Sequence, residues 1–215
     1  NQDRVFVAAT GKLYGYNSDR GIYRTTNGGN EWEQVLFVTD STAAIDVAIN
    51  YNDTDIIFAS MWERTRKPWQ RSYGGETSAI HRSLDGGDTW EQQLLVSDST
   101  GIIDMAIHPN NGNIVYAASW ERIRRPANRQ YGGETSRIYR SQDGGDTWSE
   151  LSNGLPSDPN SKGRISIDIS QSNPDVLYAF YTDKIGNVEG TFKTIDGGDT
   201  WTEVNSISNG TSYHW

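Results

Sequence analysis

The fold is decided by the stretch Ser83-Leu84-Asp85-Gly86-Gly87-Asp88-Thr89-Trp90, which recurs with small changes at 25–32, 141–148 and 194–201. The first residues of the four copies are separated by 58, 58 and 53 residues. Self-similarity at such a period is typical of repeat architectures, in which each copy forms one supersecondary unit. The sequence therefore predicts four equivalent turns in a repeated fold.

Each residue type in this stretch has a physical reason to close a tight hairpin. The first carboxylate accepts hydrogen bonds from turn N–H groups and a hydroxyl, glycine permits a left-handed backbone, and tryptophan packs between neighbouring sheets. The first copy carries Asn27 and Glu31 instead of Asp and Thr. Because Asn can make the same turn bonds, we expect its hairpin to form. The predicted structural residues are Asn27, Asp85, Asp143, Asp196, Trp32, Trp90, Trp148 and Trp201.

Short apolar segments recur around each copy, and four short strands with turns between them are typical of a propeller blade. The sequence predicts an all-β β-propeller of four-stranded antiparallel blades, about three and a half of them, with the innermost strand of the first blade missing. Since closed propellers usually have about 4–8 blades, we expect a longer chain or a second copy to complete the ring. The predicted boundaries are a partial blade at 1–36, blades at 37–94, 95–152 and 153–205, and the start of another at 206–215.

Composition narrows the functional classes. The 215 residues include 8 Trp, 11 Tyr and 22 Gly, which suits short strands joined by tight turns. The net charge of −9 argues against nucleic acid as a partner, because phosphate binding needs a broad basic face. The absence of cysteine excludes disulfides and thiol chemistry. No apolar run approaches the ~20 residues that span a bilayer.

The repeated stretch resembles the Asp-box, or BNR repeat, with its pattern Ser/Thr-x-Asp-x-Gly-x-Thr-Trp. Asp-box propellers include sialidases, xyloglucan-cleaving glycoside hydrolases, sortilin/VPS10 receptors and a photosystem assembly factor. Segments 62–75 and 120–133, each with Trp-Glu-Arg at its start and Tyr-Gly-Gly at its end, make the chain most similar to bacterial secreted sortilin/VPS10-like proteins. The resemblance implies a secreted or cell-surface interaction module in the bacterial extracellular space or periplasm, with no cofactor. No catalytic residue is carried over from it.

Two predicted long loops, 62–75 and 120–133, carry the main candidate site. Each joins the second strand of a blade to the third, whereas the Asp box joins the third to the fourth, so the loops are expected on the opposite face. Arginine offers forked donors to carboxylate or sulfate, and aromatic rings stack on sugars or guanidinium groups. These segments predict a surface for an anionic ligand, either an acidic polysaccharide or an acidic peptide. The candidate residues are Arg64, Arg66, Lys67, Trp69, Arg71, Tyr73, Arg122, Arg124, Arg125, Arg129 and Tyr131.

The same loops have a purely structural interpretation, because residues repeated in adjacent blades often serve equivalent interfaces. In that case Glu63, Glu76, Glu121 and Glu134 would pair with the loop arginines. Positions that differ between the two loops, such as Trp69 against Ala127 and Lys67 against Arg125, are better candidates for specificity.

Two further functions stay open: a glycoside hydrolase or lyase, xyloglucanase- or sialidase-like, whose site is incomplete in this chain, and a structural repeat. Asp46 and Asp104 occupy matching places in neighbouring innermost strands, with Asp168 nearby, and a glycoside hydrolase needs two carboxylates about 5–10 Å apart. Alternatively, these carboxylates cap hydrogen bonds along the central channel, and the chain is then a binding module or a structural repeat in a surface or secretion assembly. His81, His108 and His214 form no metal-ligand pattern, so no metal is expected.

Overall fold

The computed structural model describes residues 2–67, 71–125 and 128–204, with the side chains of Ser72, Arg125 and Asn128 outside the description. It is built from 18 β-strands and one 3-10 turn at Pro159–Ser161. The first sheet contains β1 (Val5–Ala9), β2 (Gly21–Thr25) and β3 (Glu33–Leu36). The second contains β4 (Thr42–Ile49), β5 (Ile57–Arg66), β7 (Ala79–Ser83) and β8 (Glu91–Leu95), with β6 (Arg71–Tyr73) paired to the end of β5.

The third and fourth sheets repeat the second. The third contains β9 (Thr100–Ile107), β10 (Val115–Glu121), β13 (Ile138–Ser141) and β14 (Ser149–Leu151). A separate hairpin joins β11 (Ile123–Arg125) to β12 (Asn128–Gln130). The fourth contains β15 (Ile165–Ile169), β16 (Leu177–Thr182), β17 (Val188–Thr194) and β18 (Thr202–Glu203).

The sheets are the blades of a β-propeller. Within each four-stranded sheet the strands pair antiparallel in chain order, and the first strands β4, β9 and β15 lie side by side. The first sheet has three strands and, within the described residues, no innermost strand. The predicted all-β partial propeller is confirmed.

In the described parts of segments 62–75 and 120–133 most residues lie in paired β-strands, so the prediction of long loops was wrong. β5 continues past Trp62, and its residues 64–66 pair with β6. The strand is extended because its neighbour β4 also lengthens, with Thr42 opposite Glu63. Pairing with an adjacent strand thus outweighs the charged composition of the segment.

The second strand of a blade packs on the Asp-box turn of the next blade along the chain. Phe58, in the second strand of its blade, lies against Gly145 of the next box, where an added Cβ would come within 2.8 Å of the ring. Gly145 also has φ +96°, a backbone region that favours glycine. Phe6 and Tyr116 occupy the equivalent places against Gly87 and Gly198.

The box tryptophans do not all pack between sheets. Trp201 is 4% exposed and joins the core between the third and fourth sheets, whereas Trp32 is 46% exposed. Trp32 directly precedes β3 of the first sheet, and the described residues contain no sheet before β1 on which it could pack, so its packing between sheets stays a prediction. Among those same residues, no helix is long and apolar enough to cross a membrane.

Candidate ligand-binding face

Asp85 closes its turn with both carboxylate oxygens. Its Oδ1 accepts the Ser83 hydroxyl and the Thr89 N–H, each at 2.8 Å, and its Oδ2 accepts the Thr89 hydroxyl at 2.6 Å. Hydrogen bonds from Thr89 and then Ser83 lower the pKa of this carboxyl to about 2. Asp143 and Asp196 accept the same set of bonds, which likewise lowers their pKa values to about 2.

The altered first copy forms the same turn. The Asn27 Oδ1 accepts the Thr25 hydroxyl and the Glu31 N–H, both at 3.0 Å. The amide oxygen therefore replaces the carboxylate, and the hairpin between β2 and β3 closes without the second Asp oxygen.

In three of the four boxes the second Asp binds an arginine of the preceding blade, a contact that the sequence analysis missed. Arg82 Nη1 donates to the Gly144 carbonyl at 2.6 Å and lies 2.7 Å from the Asp146 carboxylate. Arg24 and Arg140 make the equivalent contacts with the following boxes. The signal was present in the sequence, because an arginine precedes the Ser or Thr of three of the four boxes.

Asp46 and Asp104 join neighbouring blades through backbone hydrogen bonds. The Asp46 Oδ1 accepts the Val47 N–H at 2.8 Å, and its Oδ2 accepts the Met105 N–H of the next inner strand at 3.1 Å. Asp104 Oδ2 accepts the Ile167 N–H at 3.0 Å in the same way. Burial in this position raises the pKa of Asp46. Both carboxylates thus accept a backbone hydrogen bond from the inner strand of the next blade.

A cavity of about 370 Å³ adjoins these inner strands, and its lining includes Asp46, Tyr51, Asp168 and Gln171. Over residues 2–67, 71–125 and 128–204, no three His, Asp or Glu side chains converge to hold a metal ion. His81 is buried within β7, and this burial lowers its pKa.

The two hairpins extend from the second and third sheets, at the end opposite to the Asp boxes. β5 begins at Ile57, which pairs with Ser83 at the start of a box, and ends at Arg66, which pairs with Arg71 in the hairpin. Ten strand residues at about 3.3 Å each separate the two ends by roughly 30 Å. We call the end that carries 62–66, 71–75, 120–125 and 128–133 the hairpin face.

A buried aromatic cluster supports the hairpin face. Trp62 lies 5.6 Å from both Tyr73 and Trp120, measured between ring centroids. The Arg122 guanidinium carbon lies 4.4 Å from the Tyr73 centroid, 4.6 Å from Trp120 and 5.4 Å from Tyr131. Arg122 is 5% exposed, and burial lowers its pKa to about 10, so the side chain stays charged at neutral pH. Two of the candidate ligand residues, Arg122 and Tyr73, are therefore packed between blades.

The other candidate cations are accessible on the hairpin face. Arg129 is exposed, while the remainder are half-buried: Arg64, Arg66, Lys67, Arg71 and Arg124. None of these six forms an ion pair with an acidic side chain among the described residues. Trp69 and the side chain of Arg125 lie outside the described residues.

Glu63 and Glu121, the glutamates that follow the two tryptophans, accept hydrogen bonds from threonines. The Glu63 Oε2 accepts the Thr77 hydroxyl at 3.0 Å. The Glu121 Oε2 accepts the Thr135 hydroxyl at 2.8 Å and the Thr135 N–H at 3.1 Å. The Glu121 Oε1 also accepts the Gln130 side-chain amide of its own hairpin at 3.1 Å, and Glu134 pairs with Arg137 and Lys162.

A cleft of about 440 Å³ lies at the same end of the molecule, between the β11–β12 hairpin and the fourth blade. Its lining includes Arg129, Gln130, Glu134 and Lys184. The cleft thus combines positive charge with amide and carboxylate groups at the edge of the hairpin face.

The connection between β1 and β2, which the sequence analysis did not single out, also reaches this face. Its Gly15 N–H donates to the Arg66 carbonyl at 2.9 Å. Tyr14 and Tyr16 are each 54% exposed beside the end of β5. Tyrosines in the β1–β2 connection were missed because that segment lacks the Trp-Glu-Arg and Tyr-Gly-Gly marks of the two repeated hairpins.

Successive antiparallel sheets, each with its last two strands joined by one of these turns, define the chain as an Asp-box β-propeller. Residues 78–215 match the Sortilin-Vps10 family model, described as sortilin, neurotensin receptor 3. The match covers more than half of the chain, and the chain therefore belongs to the Sortilin-Vps10 family.

The chain is also similar to glycoside hydrolases. A xyloglucanase of a Paenibacillus species is 24% identical over 205 residues, which are 94% of this chain and 17% of that protein. The GH74 xyloglucanase from Xanthomonas campestris superimposes with a TM-score of 0.64 at 15% identity, over 95% of this chain and 29% of that chain. YCF48 from Cyanidioschyzon merolae gives a TM-score of 0.50 at 17% identity, over 96% of this chain and 58% of that chain. These structures show the shared fold, and the chain spans less than a third of either xyloglucanase.

Proposed function

We propose that this chain is an interaction module of a secreted or cell-surface protein, and that its hairpin face binds an anionic ligand. The observation that carries the proposal is the group of six accessible cations without acidic partners among the described residues. Their concentration on one face is unusual for a protein of net charge −9. The ligand would carry carboxylate or sulfate groups, because arginine binds these groups with paired N–H donors.

The arginines at the opposite end provide the contrast. Arg4, Arg24, Arg82 and Arg140 each lie within 2.8 Å of an Asp carboxylate, so their charges are used within the protein. An anionic ligand approaching the Asp-box end meets neutralised cations and exposed carboxylates. At the hairpin face it meets cations available for pairing, and the attraction weakens as salt screens it.

A glycoside hydrolase is the second candidate, favoured by the similarity to xyloglucanases. Within this chain both oxygens of the candidate Asp46 already accept backbone hydrogen bonds, one from Val47 and one from Met105 of the neighbouring blade, and the Asp104 Oδ2 accepts one from Ile167 of the blade after it. A general acid or base needs a free oxygen near the reacting bond. We therefore favour binding, and propose that any hydrolytic site depends on parts of a longer protein.

The test is affinity electrophoresis of the full chain through gels containing polygalacturonate, heparin or poly-glutamate at low salt. The variant Arg124→Gln/Arg129→Gln removes two charges from the hairpin face. The control variant Arg4→Gln/Lys193→Gln removes two charges elsewhere, and both differ equally in net charge from the unaltered protein.

We expect the hairpin variant to bind the anionic polymer roughly thirtyfold more weakly, since it loses two charge-assisted contacts that contribute about 1 kcal/mol each. The control should change by less than about twofold, in keeping with the small value of surface charges that make no ligand contact. Equal losses in both variants would show unspecific charge attraction, and no retardation in any polymer would refute the proposed function.

A further inference from the structure

The connection between β1 and β2 adds exposed aromatic rings to the cations of the hairpin face. The Arg66 guanidinium carbon lies 5.7 Å from the Tyr14 ring centroid, and the Lys67 Nζ lies 5.3 Å from the Tyr16 ring centroid. Both tyrosines remain 54% exposed in this arrangement. We call Tyr14, Tyr16, Arg66 and Lys67 the tyrosine patch.

Buried polar contacts hold the tyrosine patch in place. Arg20, 2% exposed, donates from Nη1 to the Ser41 carbonyl at 2.7 Å and to the Arg64 carbonyl at 2.6 Å. Its Nη2 donates to the Gly15 carbonyl at 3.1 Å, between the two tyrosines in sequence. The guanidinium thus ties the β1–β2 connection to the end of β5, and the rings keep their position beside the cations without a ligand.

We infer that the tyrosine patch binds one unit of an acidic glycan, a pyranose ring that carries a carboxylate or sulfate group. The inference rests on the proposed function and specifies its ligand. A pyranose presents a face of C–H groups that packs on an aromatic ring, while its acidic substituent pairs with a neighbouring cation. The tyrosine patch supplies both, ring and charge, within about 6 Å of each other.

A glycan fits the patch better than an acidic peptide does. A peptide carboxylate would contact only the cations and leave the tyrosine rings unused. Bound peptides usually gain affinity from a strand edge, an apolar groove or a charge cluster. Two half-exposed rings beside cations add a flat apolar surface that a sugar ring covers. The Tyr14 and Tyr16 hydroxyls also offer donors and acceptors to the ring substituents of a sugar.

The experiment measures calorimetric affinities of the full chain for hexagalacturonate, its neutral methyl ester and hexaglutamate. The variants are Tyr14→Ala/Tyr16→Ala and Tyr14→Phe/Tyr16→Phe. The matched control is Tyr178→Ala, because Tyr178 is also exposed and has the Lys193 Nζ 5.6 Å from its ring, but lies near the Asp-box end.

We expect the alanine variant to bind hexagalacturonate roughly tenfold more weakly, the phenylalanine variant to keep most of the affinity, and the Tyr178→Ala control to match the unaltered protein. The methyl ester should bind at least tenfold more weakly than the acid, because it lacks the charge. Unchanged hexagalacturonate affinity in the alanine variant, or hexaglutamate binding as tight as the sugar and equally weakened, would overturn the glycan inference alone. Failure of the unaltered chain to bind either anionic probe would overturn the proposed function as well.

Discussion

Truncation of Arg122 separates a structural role in the hairpin face from a ligand-binding one. Its guanidinium carbon lies 4.4, 4.6 and 5.4 Å from the centroids of Tyr73, Trp120 and Tyr131. Arg64 holds the matching position in the preceding repeat, yet it is half-buried and lies 5.8 Å from a single ring, Tyr73. The two arginines therefore form a natural pair of test and control.

The expected magnitudes follow from this difference in surroundings. Arg122→Ala removes three ring contacts and leaves a void, at a cost of about 3 kcal/mol in the free energy of unfolding. Arg64→Ala should cost only about 0.5 kcal/mol, because the half-buried cation contacts one ring at long range. At about 2–4 °C per kcal/mol for a domain of this size, the melting temperatures fall by roughly 6–12 °C and by about 1–2 °C.

A third variant tests whether charge or volume stabilises the cluster. Arg122→Met keeps most of the volume and avoids the burial cost that lowers the arginine pKa to about 10, so we expect a change within about 1 kcal/mol. The assay is thermal unfolding by circular dichroism, with affinity for polygalacturonate measured on each folded variant. The reasoning is refuted if Arg122→Ala unfolds at the same temperature as the unaltered protein, or if the loss falls on ligand affinity with stability intact.

Three further predictions concern the repeated turns and inner strands. The folded pKa of Asp143, about 2, lies below the unfolded value of about 3.9. Its stabilisation is therefore full above pH 4 and lost as pH falls through 2, so the gap in melting temperature between Asp143→Asn and the unaltered protein should narrow from pH 5 to pH 2. Arg82→Met should lower the free energy of unfolding in urea by about 1–2 kcal/mol, because the Gly144 carbonyl and Asp146 lose their shared donor; no shift in the urea midpoint would contradict this. Asp104→Asn should lower the melting temperature while the chain, altered or not, releases no reducing ends from xyloglucan; release by the unaltered chain alone would restore the hydrolase candidate.

Local chemistry explains which features the sequence predicts well. The box turns depend on bonds among residues at most four apart, such as Thr89 to Asp85, so the pattern alone specifies them. Burial depends on the neighbouring blade, which the local pattern does not contain. Arg64 and Arg122 follow the same Trp-Glu pair, yet only Arg122 is enclosed by rings from two blades.

The hairpin face shows the same limit in its secondary structure and its aromatic residues. Residues 64–66 read as a charged loop, but pairing with β6 makes them strand. Tyr14 and Tyr16 have no counterpart in the repeated hairpins, so no pattern marked them, and contacts distant in sequence, such as those of Gly15 with Arg66 and Arg20, bring them to the face. The composition of the segments was enough to recognise the candidate cations. Their accessibility and their lack of acidic partners could be seen only in the packed structure.

Hydrogen exchange with and without a saturating acidic oligosaccharide, hexagalacturonate, tests the central claim that the hairpin face is the binding surface. We predict slower exchange for amides at 12–17, 62–66 and 121–131, with unchanged exchange in the box turns at 85–89 and 143–147. Protection confined to the box turns or to the inner strands around Asp46 and Asp104 would place the ligand elsewhere and contradict the account.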